Sequence, residues 1–337
     1  MKKAIILVNT SNTNHNAGPK AQTDISMFLS KHGFKSVMLS VNNNSAIFKL
    51  LVVLFNLPRL GATLSSMDEV IIQYPMSAFL MRNLIKVLRK KTNAKIYCVI
   101  HDIESLRLKK DNSEFRNREI SLLNKVDGLI VHNSNMLNWL KKSGLRIPAV
   151  QLDLFDYGNS QHLNEKINYE RSICFAGNLS KSTFLNKFHP KNFELYLYGT
   201  GLSSKVHDKN IHYQGSFDPD DLPKYLTQSF GLMWDGNSVS SCSGIYGQYT
   251  KYNAPHKVSL YLSCGMPVIV WKKAGVADYI VKNHLGLAVE SLTELDDKLD
   301  SISFEDYKQM KFNCLREAQK LRSGYFITNA ITRIEDK

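Results

Sequence analysis

The chain has 337 residues, of which 43% are hydrophobic and 22% are charged. At roughly 150 residues per domain this length predicts two domains, and the apolar content excludes an intrinsically disordered chain. Lys and Arg total 43 against 30 Asp and Glu, and the net charge of +13 favours anionic partners such as phosphates, nucleic acids or an anionic membrane face.

Cysteine usage and the longest apolar runs indicate a cellular compartment. The five cysteines lie far apart without a C-x-x-C pair, so neither a disulfide framework nor a cysteine zinc site is predicted. The apolar run after Lys2 and Lys3 is too short for the core of a signal peptide. Residues 46–59 contain Lys49 and Asn56 and are interpreted as too short to span a bilayer. A cytoplasmic protein is therefore expected.

Short apolar runs alternate with amphipathic segments in the first half of the chain. Strands are predicted at Ala4–Val8, Ser36–Leu39, Glu69–Gln73, Lys95–Ile100 and Gly128–Val131. Helices are predicted between them at Ala21–Lys31, Ile47–Phe55, Ala78–Lys90, Glu114–Lys125 and Asn135–Lys142. Because strands that alternate with helices form βαβ units, a mostly parallel sheet covered on both faces is expected.

The second half repeats this alternation after a polar segment without periodicity. Its strands are predicted at Ser172–Ala176, Glu194–Tyr198, Gly231–Trp234, Pro267–Val270 and Gly286–Val289. Its helices are predicted at Asp220–Gln228, His256–Cys264, Val276–Lys282, Leu292–Leu299 and Phe304–Arg322. The fold class is thus α/β, with two Rossmann-like, doubly wound domains facing a cleft at the carboxyl ends of their strands. The predicted parts are residues 1–157, a linker at 158–170, residues 171–317 and a C-terminal helix at 318–337.

The segment from Gly231 to Val270 carries the largest set of candidate ligand-binding residues. These are Asp235, Gly236, Gly244, Asn253, His256 and Lys257. Asn253 is a candidate capping residue, and Pro255 suits the first turn of the helix that follows. A helix start offers free N–H groups and a partial positive charge, which together with Lys257 suit a diphosphate. The alternative is a flexible loop followed by a solvated lysine.

Other strand-to-helix turns give weaker signals. Gly177, Asn178 and Lys181 combine a small residue, an amide and a cation, although strand-Gly-Asn turns also occur for purely geometric reasons. In the N-terminal loop Asn9–Lys20, Gly18 permits close backbone approach and Lys20 is placed to reach a phosphate; a crossover loop without a ligand fits equally well.

Carboxylates near a strand end are candidates for a general base. Asp102 follows strand Lys95–Ile100 and is the first candidate, unless it caps the next turn or pairs with Arg107. Asp24 and Glu104 are the other candidates.

Asp218-Pro219-Asp220 matches a D-x-D pattern that binds metal–nucleotide complexes. We interpret it instead as a helix start, with Asp218 as the cap and Pro219 in the first turn.

The sequence has no metal-ligand cluster, G-x-S-x-G elbow, Walker loop or RNA-binding motif, so neither a metal nor a nucleic-acid partner is expected. Arg82–Lys95 and Ile47–Leu60 fit an amphipathic, positively charged surface for anionic lipid. They fit a buried packing helix with a solvated turn as well.

Several motifs resemble the bacterial β-1,6-galactofuranosyltransferases of cell-surface polysaccharide assembly and, more distantly, the glucosyltransferases that extend N-acetylglucosamine on serine-rich adhesins. They are NAGPKAQTD at 16–24, HDIESLR at 101–107, LFDY at 154–157, FAGNLSK at 175–181, GSFD at 215–218 and the block at 234–281. The resemblance implies a GT-B fold, a nucleotide-sugar held mainly by the C-terminal domain, no required metal, and a final helix that crosses back to the N-terminal domain.

The resemblance also implies roles for single residues. By motif position, the donor-binding residues are Lys181, Tyr213 and Lys257, with Lys20 from the opposite domain. Many GT-B members carry a ribose-binding glutamate five residues before the glycine of a G-x-P-V-I turn. That glycine is Gly265 here, and the corresponding residue is Leu260. A retaining mechanism that uses such a glutamate is disfavoured, and ribose recognition is expected from another residue, with Tyr213 as the candidate.

Together these observations predict a metal-independent, inverting hexosyltransferase in which Lys257 neutralises the departing UDP and Asp102 accepts the acceptor's proton. The expected partners are a UDP-sugar, with galactofuranose favoured, and a lipid-linked or protein-linked glycan of the O-antigen or capsule type, met at the inner face of the membrane. The alternatives are a UDP-glucose-dependent glucosyltransferase acting on an adhesin, and a non-catalytic nucleotide-sugar-binding partner of a glycosylation complex. The oligomeric state is open, a homo-oligomer included.

Overall fold

The computed structural model describes residues 1–9, 17–41 and 45–337. The chain divides into two compact units. Unit 1 comprises Met1–Leu152 together with Ile327–Lys337, and unit 2 comprises Asp153–Phe326. Residues 158–170, all of them described, run without helix or strand inside unit 2.

Unit 1 is built on a six-stranded parallel sheet with the order β2-β1-β3-β4-β5-β6. The strands are β1 (Lys3–Asn9), β2 (Phe34–Ser40), β3 (Glu69–Tyr74), β4 (Lys95–Ile100), β5 (Gly128–Val131) and β6 (Ala149–Gln151). Every residue of β3 and β5 is buried, as expected for apolar strands that are covered by helices on both faces.

The helices of unit 1 follow the predicted order. They are α1 (Ala17–Lys31), α2 (Ala46–Leu51), α3 (Leu57–Thr63), α4 (Ala78–Lys91), α5 (Glu104–Arg107), α6 (Ser113–Leu123) and α7 (Ser134–Lys142). One wider π-helical segment, Val52–Asn56, joins α2 to α3. Residues 46–63 therefore form one 18-residue helix with a mean hydropathy of 1.5, long and apolar enough to cross a membrane by length and composition. The expectation that this stretch is too short was wrong.

Unit 2 contains a second six-stranded parallel sheet, with the order β12-β11-β10-β7-β8-β9. Its strands are β7 (Ser172–Ala176), β8 (Glu194–Tyr198), β9 (Ile211–Gly215), β10 (Phe230–Met233), β11 (Val268–Trp271) and β12 (Gly286–Val289). The helices are α8 (Gly244–Tyr249), α9 (His256–Ser263), α10 (Ala277–Lys282), α11 (Leu295–Asp300), α12 (Phe304–Ser323) and α13 (Tyr325–Glu335), the last of which contributes Ile327 onwards to unit 1.

Two differences between the predicted and the observed elements concern candidate site residues. Helix α1 begins at Ala17, so Gly18 and Lys20 lie in its first turn and not in a loop. The helix predicted at Asp220–Gln228 is a single 3₁₀ turn, Leu222–Tyr225. Pro223 has no N–H to donate, so a longer hydrogen-bonded helix is disfavoured there.

Candidate functional site

The site in unit 2 lies where the strand order of its sheet reverses. Strands β7, β8 and β9 follow one another outwards on one side of this point, and strands β10, β11 and β12 do so on the other side. In open α/β sheets, ligands bind in the crevice outside the carboxyl ends of the strands at such a switch point. Gly177 and Asn178 follow β7, and Trp234, Asp235 and Gly236 follow β10. Four predicted site residues therefore meet at this crevice.

The ammonium group of Lys257, the second residue of α9, lies at the ends of both strands. Its Nζ donates to the carbonyl oxygen of Trp234 at 3.4 Å and to Oδ1 of Asp235 at 3.3 Å. The same atom lies 4.5 Å from the centroid of the Phe175 ring and 3.8 Å from the position that a Cβ on Gly177 would take. The Lys257 side chain is 16% exposed. The cation is thus held at the switch point and is still open to a ligand.

Tyr261, one helical turn after Lys257, fixes α9 against the two strands. Its side chain is fully buried, and its hydroxyl accepts the N–H of Ala176 at 2.7 Å, at the end of β7. Its ring fills the space over Gly231 of β10, where an added Cβ would lie 2.2 Å from Cγ of Tyr261. Residues four apart share one face of a helix. Tyr261 therefore anchors α9 so that Lys257 lies at the strand ends.

Helix α9 begins at His256, as predicted, but its capping residue differs from the prediction. Pro255 is the N-cap, with an extended ψ of 130°, and His256 is the first helical residue. Asn253 was wrongly predicted as the cap. Asn253 lies two residues before the observed cap, so it is not at the start of the helix. The ring of His256 lies 4.9 Å from the Tyr157 ring and 6.2 Å from that of Phe155. These two residues of the LFDY motif pack on the start of α9.

The turns after β7, β8 and β9 are joined by backbone hydrogen bonds. The N–H of Gly177 donates to Tyr198 at 2.9 Å, and that of Gly199 donates to Gly215 at 2.8 Å. At Gly199, with φ +138°, a Cβ would lie 1.8 Å from the carbonyl oxygen of Gly177, so only glycine fits. The hydroxyl of Tyr213 donates to the Gly199 carbonyl at 2.9 Å, and the side chain is 50% exposed. Tyr213 is thereby placed beside the turn that follows β7.

A second cation lies beside the β7 turn. Lys181 is in a single 3₁₀ turn, Leu179–Lys181, that is capped by the side chain of Asn178. Its Nζ lies 5.1 Å from the centroid of the Tyr246 ring. Tyr246 belongs to α8, which begins at Gly244. The predicted residues Lys181 and Gly244 therefore flank the same region.

Polar side chains at the carboxyl ends of β3 and β4 in unit 1 form hydrogen bonds with one another. Nε2 of His101 donates to Oε1 of Gln73 at 2.8 Å, and Nε2 of Gln73 donates to Oγ of Ser26 on α1 at 3.0 Å. Asp102 accepts from Nη1 of Arg107 at 2.5 Å, and its side chain is 26% exposed. The interpretation that Asp102 pairs with Arg107 is confirmed.

The predicted N-terminal loop is only partly described. Of Asn9–Lys20, residues 10–16 lie outside the described residues. Nζ of Lys20 lies 3.1 Å from Oδ1 of Asp24, one turn later on α1, and the two side chains are 9% and 6% exposed. This burial makes Asp24 less accessible to a substrate than Asp102.

The D-x-D pattern lies in a turn. The carbonyl oxygen of Asp218 accepts the N–H groups of Asp221 and Leu222 at 2.9 and 2.8 Å, and the hydroxyl of Tyr157 donates to the carbonyl of Pro219 at 3.0 Å. Asp218 was wrongly predicted as a helix cap, because the 3₁₀ turn begins only at Leu222. Within residues 1–9, 17–41 and 45–337, no three His, Cys, Asp or Glu side chains lie close enough to hold a metal ion.

Sequence reasoning missed Tyr261 and Phe175, which position the cation. Both act through contacts between segments that are far apart in the chain. The one signal for Tyr261 was a glycine, Gly231, inside an apolar strand, where it often marks a close approach.

Two Rossmann-like units, one of them with a fixed cation and a helix start at its strand switch point, fit the GT-B class of glycosyltransferases. A model of the glucosyltransferase 3-like N-terminal domain matches residues 2–154, and one of the C-terminal domain matches residues 173–334. The chain belongs to this glucosyltransferase 3-like family.

Individual relatives agree with this assignment. The beta-1,6-galactofuranosyltransferase WbbI of Escherichia coli (strain K12) is 33% identical over 279 residues, which cover 81% of each chain. Glucosyltransferase 3 of Streptococcus gordonii is 25% identical over 240 residues, or 70% of each chain. An alpha-glucosyltransferase solved in complex with UDP has the same fold, with a TM-score of 0.60 at 11% identity, over 98% of this chain and 99% of that chain. The predicted family, the GT-B fold and the hexosyltransferase activity are confirmed.

Proposed function

We propose that the protein transfers galactofuranose from a UDP-linked donor to a hydroxyl group of a cell-surface glycan intermediate, with inversion and without a divalent metal ion. The observation that carries this proposal is the ammonium of Lys257 at the β7–β10 switch point. The 33% identical relative is a beta-1,6-galactofuranosyltransferase, which supports galactofuranose as the donor sugar, and the UDP bound to the structural relative supports the nucleotide.

The chemistry of the departing group follows from this position. The acceptor oxygen forms a bond to the anomeric carbon while the bond between that carbon and the β-phosphate oxygen breaks. The electron pair stays on UDP, whose diphosphate gains negative charge. A cation and a helix start that are already in place stabilise this charge without reorganisation.

The local contacts of Lys257 leave room for a phosphate oxygen. An ammonium has three N–H donors. Trp234 and Asp235 accept from two of them, through contacts of 3.4 and 3.3 Å that are longer than an ideal hydrogen bond. In the described part of the chain these are its hydrogen bonds, and the third donor is available to the diphosphate.

Two further residues complete the proposed donor site. Lys181 supplies a second, exposed cation near the β7 turn. Leu260 is 5% exposed and carries no carboxylate for the ribose. We assign ribose contact to the half-exposed hydroxyl of Tyr213.

The proton of the acceptor hydroxyl needs a base, and Asp102 is our candidate. Its side chain is 26% exposed, so a substrate hydroxyl can reach it. Asp24 is 4% exposed and is the second choice.

The proposal is tested by incubating the protein with UDP-galactofuranose, UDP-glucose and UDP-galactopyranose, a synthetic glycoside acceptor, and either EDTA or Mn²⁺. UDP release is expected to be fastest with UDP-galactofuranose and unchanged by EDTA, and NMR of the product should show an anomeric configuration opposite to that of the donor. Preference for UDP-glucose would establish the glucosyltransferase alternative. Binding of UDP without transfer from any donor would establish a non-catalytic partner.

A further inference from the structure

One face of the 46–63 helix is apolar and directed outwards. Its members recur at the spacing of one helical face. They are Ile47, Leu50, Leu51, Leu54 and Phe55, and their exposed fractions are 74%, 48%, 46%, 56% and 56%. Only 22% of the 18 residues of this helix are buried. The alternative of a buried packing helix is therefore wrong for this segment. An exposed apolar face of this extent marks an interaction surface.

The opposite face of the same helix packs against the rest of unit 1. Val52, Leu57, Leu60 and Gly61 are buried there. A Cβ on Gly61 would lie 2.6 Å from Cγ1 of Val87 on α4. The strands before and after the helix, β2 and β3, both pair with β1 in parallel. Crossing a bilayer would break this packing, so the helix is placed to lie along a surface and not to span it.

The charged residues of this helix and of the neighbouring helix α4 are all basic. Residues 46–63 contain Lys49 and Arg59 and no acidic residue. Helix α4, which packs beside α3, also contains no acidic residue, and its exposed residues include Arg82, Lys86 and Lys90. Their spacing of four places them along one side of α4. These three residues form a basic stripe on α4, the helix that packs beside α3.

We propose that the outward face of residues 46–63, together with the basic stripe of Arg82, Lys86 and Lys90, lies in the headgroup boundary of an anionic bilayer. Apolar side chains enter the boundary between headgroups and acyl chains, and the basic side chains contact lipid phosphates. A second copy of the chain fits less well. A two-fold interface brings the same patch of both copies together and so sets basic stripe against basic stripe.

The experiment measures sedimentation of the full-length protein with vesicles. We expect binding to vesicles of phosphatidylcholine with 30% phosphatidylglycerol, at least tenfold weaker binding to pure phosphatidylcholine, and weaker binding in 0.5 M NaCl. The variant L54E/F55E and the variant K86E/K90E should each bind at least tenfold less. Phe312→Glu is the matched control because Phe312 on α12 is 54% exposed, and it should bind like the wild type. UDP release with a soluble acceptor should be unchanged in all variants.

Three results would overturn the proposal. The first is equal binding to neutral and anionic vesicles, or binding to neither. The second is a dimer in light scattering that L54E/F55E dissociates, which would assign the face to a second copy. The third is retention in the membrane after alkaline carbonate extraction, which would indicate a spanning helix. Should L54E/F55E fail to fold, Ile47→Cys labelled with an environment-sensitive fluorophore should shift to the blue on anionic vesicles, whereas a label at Phe312→Cys should not; equal signals would contradict the proposal.

Discussion

The two units share one architecture but differ in strand order and in how polar groups are used at the strand ends. From its edge strand, unit 1 runs β2-β1-β3-β4-β5-β6, whereas unit 2 runs β9-β8-β7-β10-β11-β12. In unit 2 the switch point holds Lys257, whose polar contacts are 3.3 and 3.4 Å long. In unit 1 the strand ends hold shorter pairs, His101 with Gln73 at 2.8 Å and Asp102 with Arg107 at 2.5 Å.

This difference shows that a doubly wound sheet determines where a ligand can bind, and the side-chain pairing at that edge determines which charge it can take. The ammonium of Lys257, which is partly exposed and has only long polar contacts, can bind an anion. The polar pairs of unit 1, which form short hydrogen bonds with each other, can stabilise the local structure or take part in proton transfer. This difference is the basis for proposing the diphosphate site in unit 2 and the base in unit 1.

The largest effect is expected from Asp102→Asn. Loss of a general base typically costs about 10²–10⁴-fold in rate, so kcat should fall by that factor. The affinity for UDP should stay unchanged in calorimetry, because the proposed nucleotide site is in unit 2. A normal rate would move the role to Asp24 or Glu104, and lost UDP binding would contradict the separation of roles.

Lys257→Ala should lower kcat/KM by about 10²–10³-fold, the usual cost of removing one preorganised donor to a developing charge. The melting temperature should change little, since the lost ion pair with Asp235 is long. Lys272→Ala is the matched control, because Lys272 pairs with Glu290 on the surface of the same unit and its side chain is 61% exposed. Similar turnover of both variants would contradict the proposal that the diphosphate binds at Lys257.

Gly231→Ala should destabilise unit 2. The new methyl group would lie 2.2 Å from the Tyr261 ring, and overpacking of this kind costs about 3 kcal/mol. Urea denaturation measures the loss. A second variant, G231A/Y261A, should recover part of the stability while catalysis stays low, because α9 loses its anchor. Full activity of the double variant would show that Tyr261 does not position Lys257.

The smallest expected effect is the pH dependence of the folding stability, which His132 of unit 1 contributes. Burial lowers the pKa of His132 to about 4 from its usual 6.5, and its Nε2 lies 3.0 Å from the carbonyl of Ile100. Below pH 6.5 the unfolded state binds a proton that the folded state does not, so stability falls as the pH drops towards 4. The expected loss is about 2 kcal/mol between pH 7 and pH 5. Urea denaturation of His132→Asn should show a correspondingly smaller loss, and an equal pH dependence would contradict the assignment.

Most of the fold could be predicted from periodicity, and the failures have physical reasons. Buried parallel strands such as β4 and β7 are continuous apolar runs and were located to the residue. Strand β6 has only three residues, and β9, with the sequence IHYQG, has no buried residue, so neither gives an apolar run. The length of the 46–63 helix was underestimated because a π-helical segment carries it through Asn56 and Pro58.

The sequence identified the residues of the candidate site better than the contacts that hold them in place. Gly177 follows the apolar strand β7 and Lys257 lies at the start of helix α9, and both positions can be recognised from the sequence. Their proximity depends on Tyr261 reaching the backbone of Ala176, 85 residues earlier, and nothing in local sequence encodes that contact. The cap at Asn253 was misplaced because the backbone angle of Pro255 is a property of the folded loop.

A crystal structure with UDP tests the placement of the nucleotide most directly. The account predicts the diphosphate within hydrogen-bonding distance of Nζ of Lys257 and of the first N–H groups of α9, with the ribose near Tyr213. A nucleotide bound in unit 1, or one held through Asp218 and Asp220 by manganese, would contradict it.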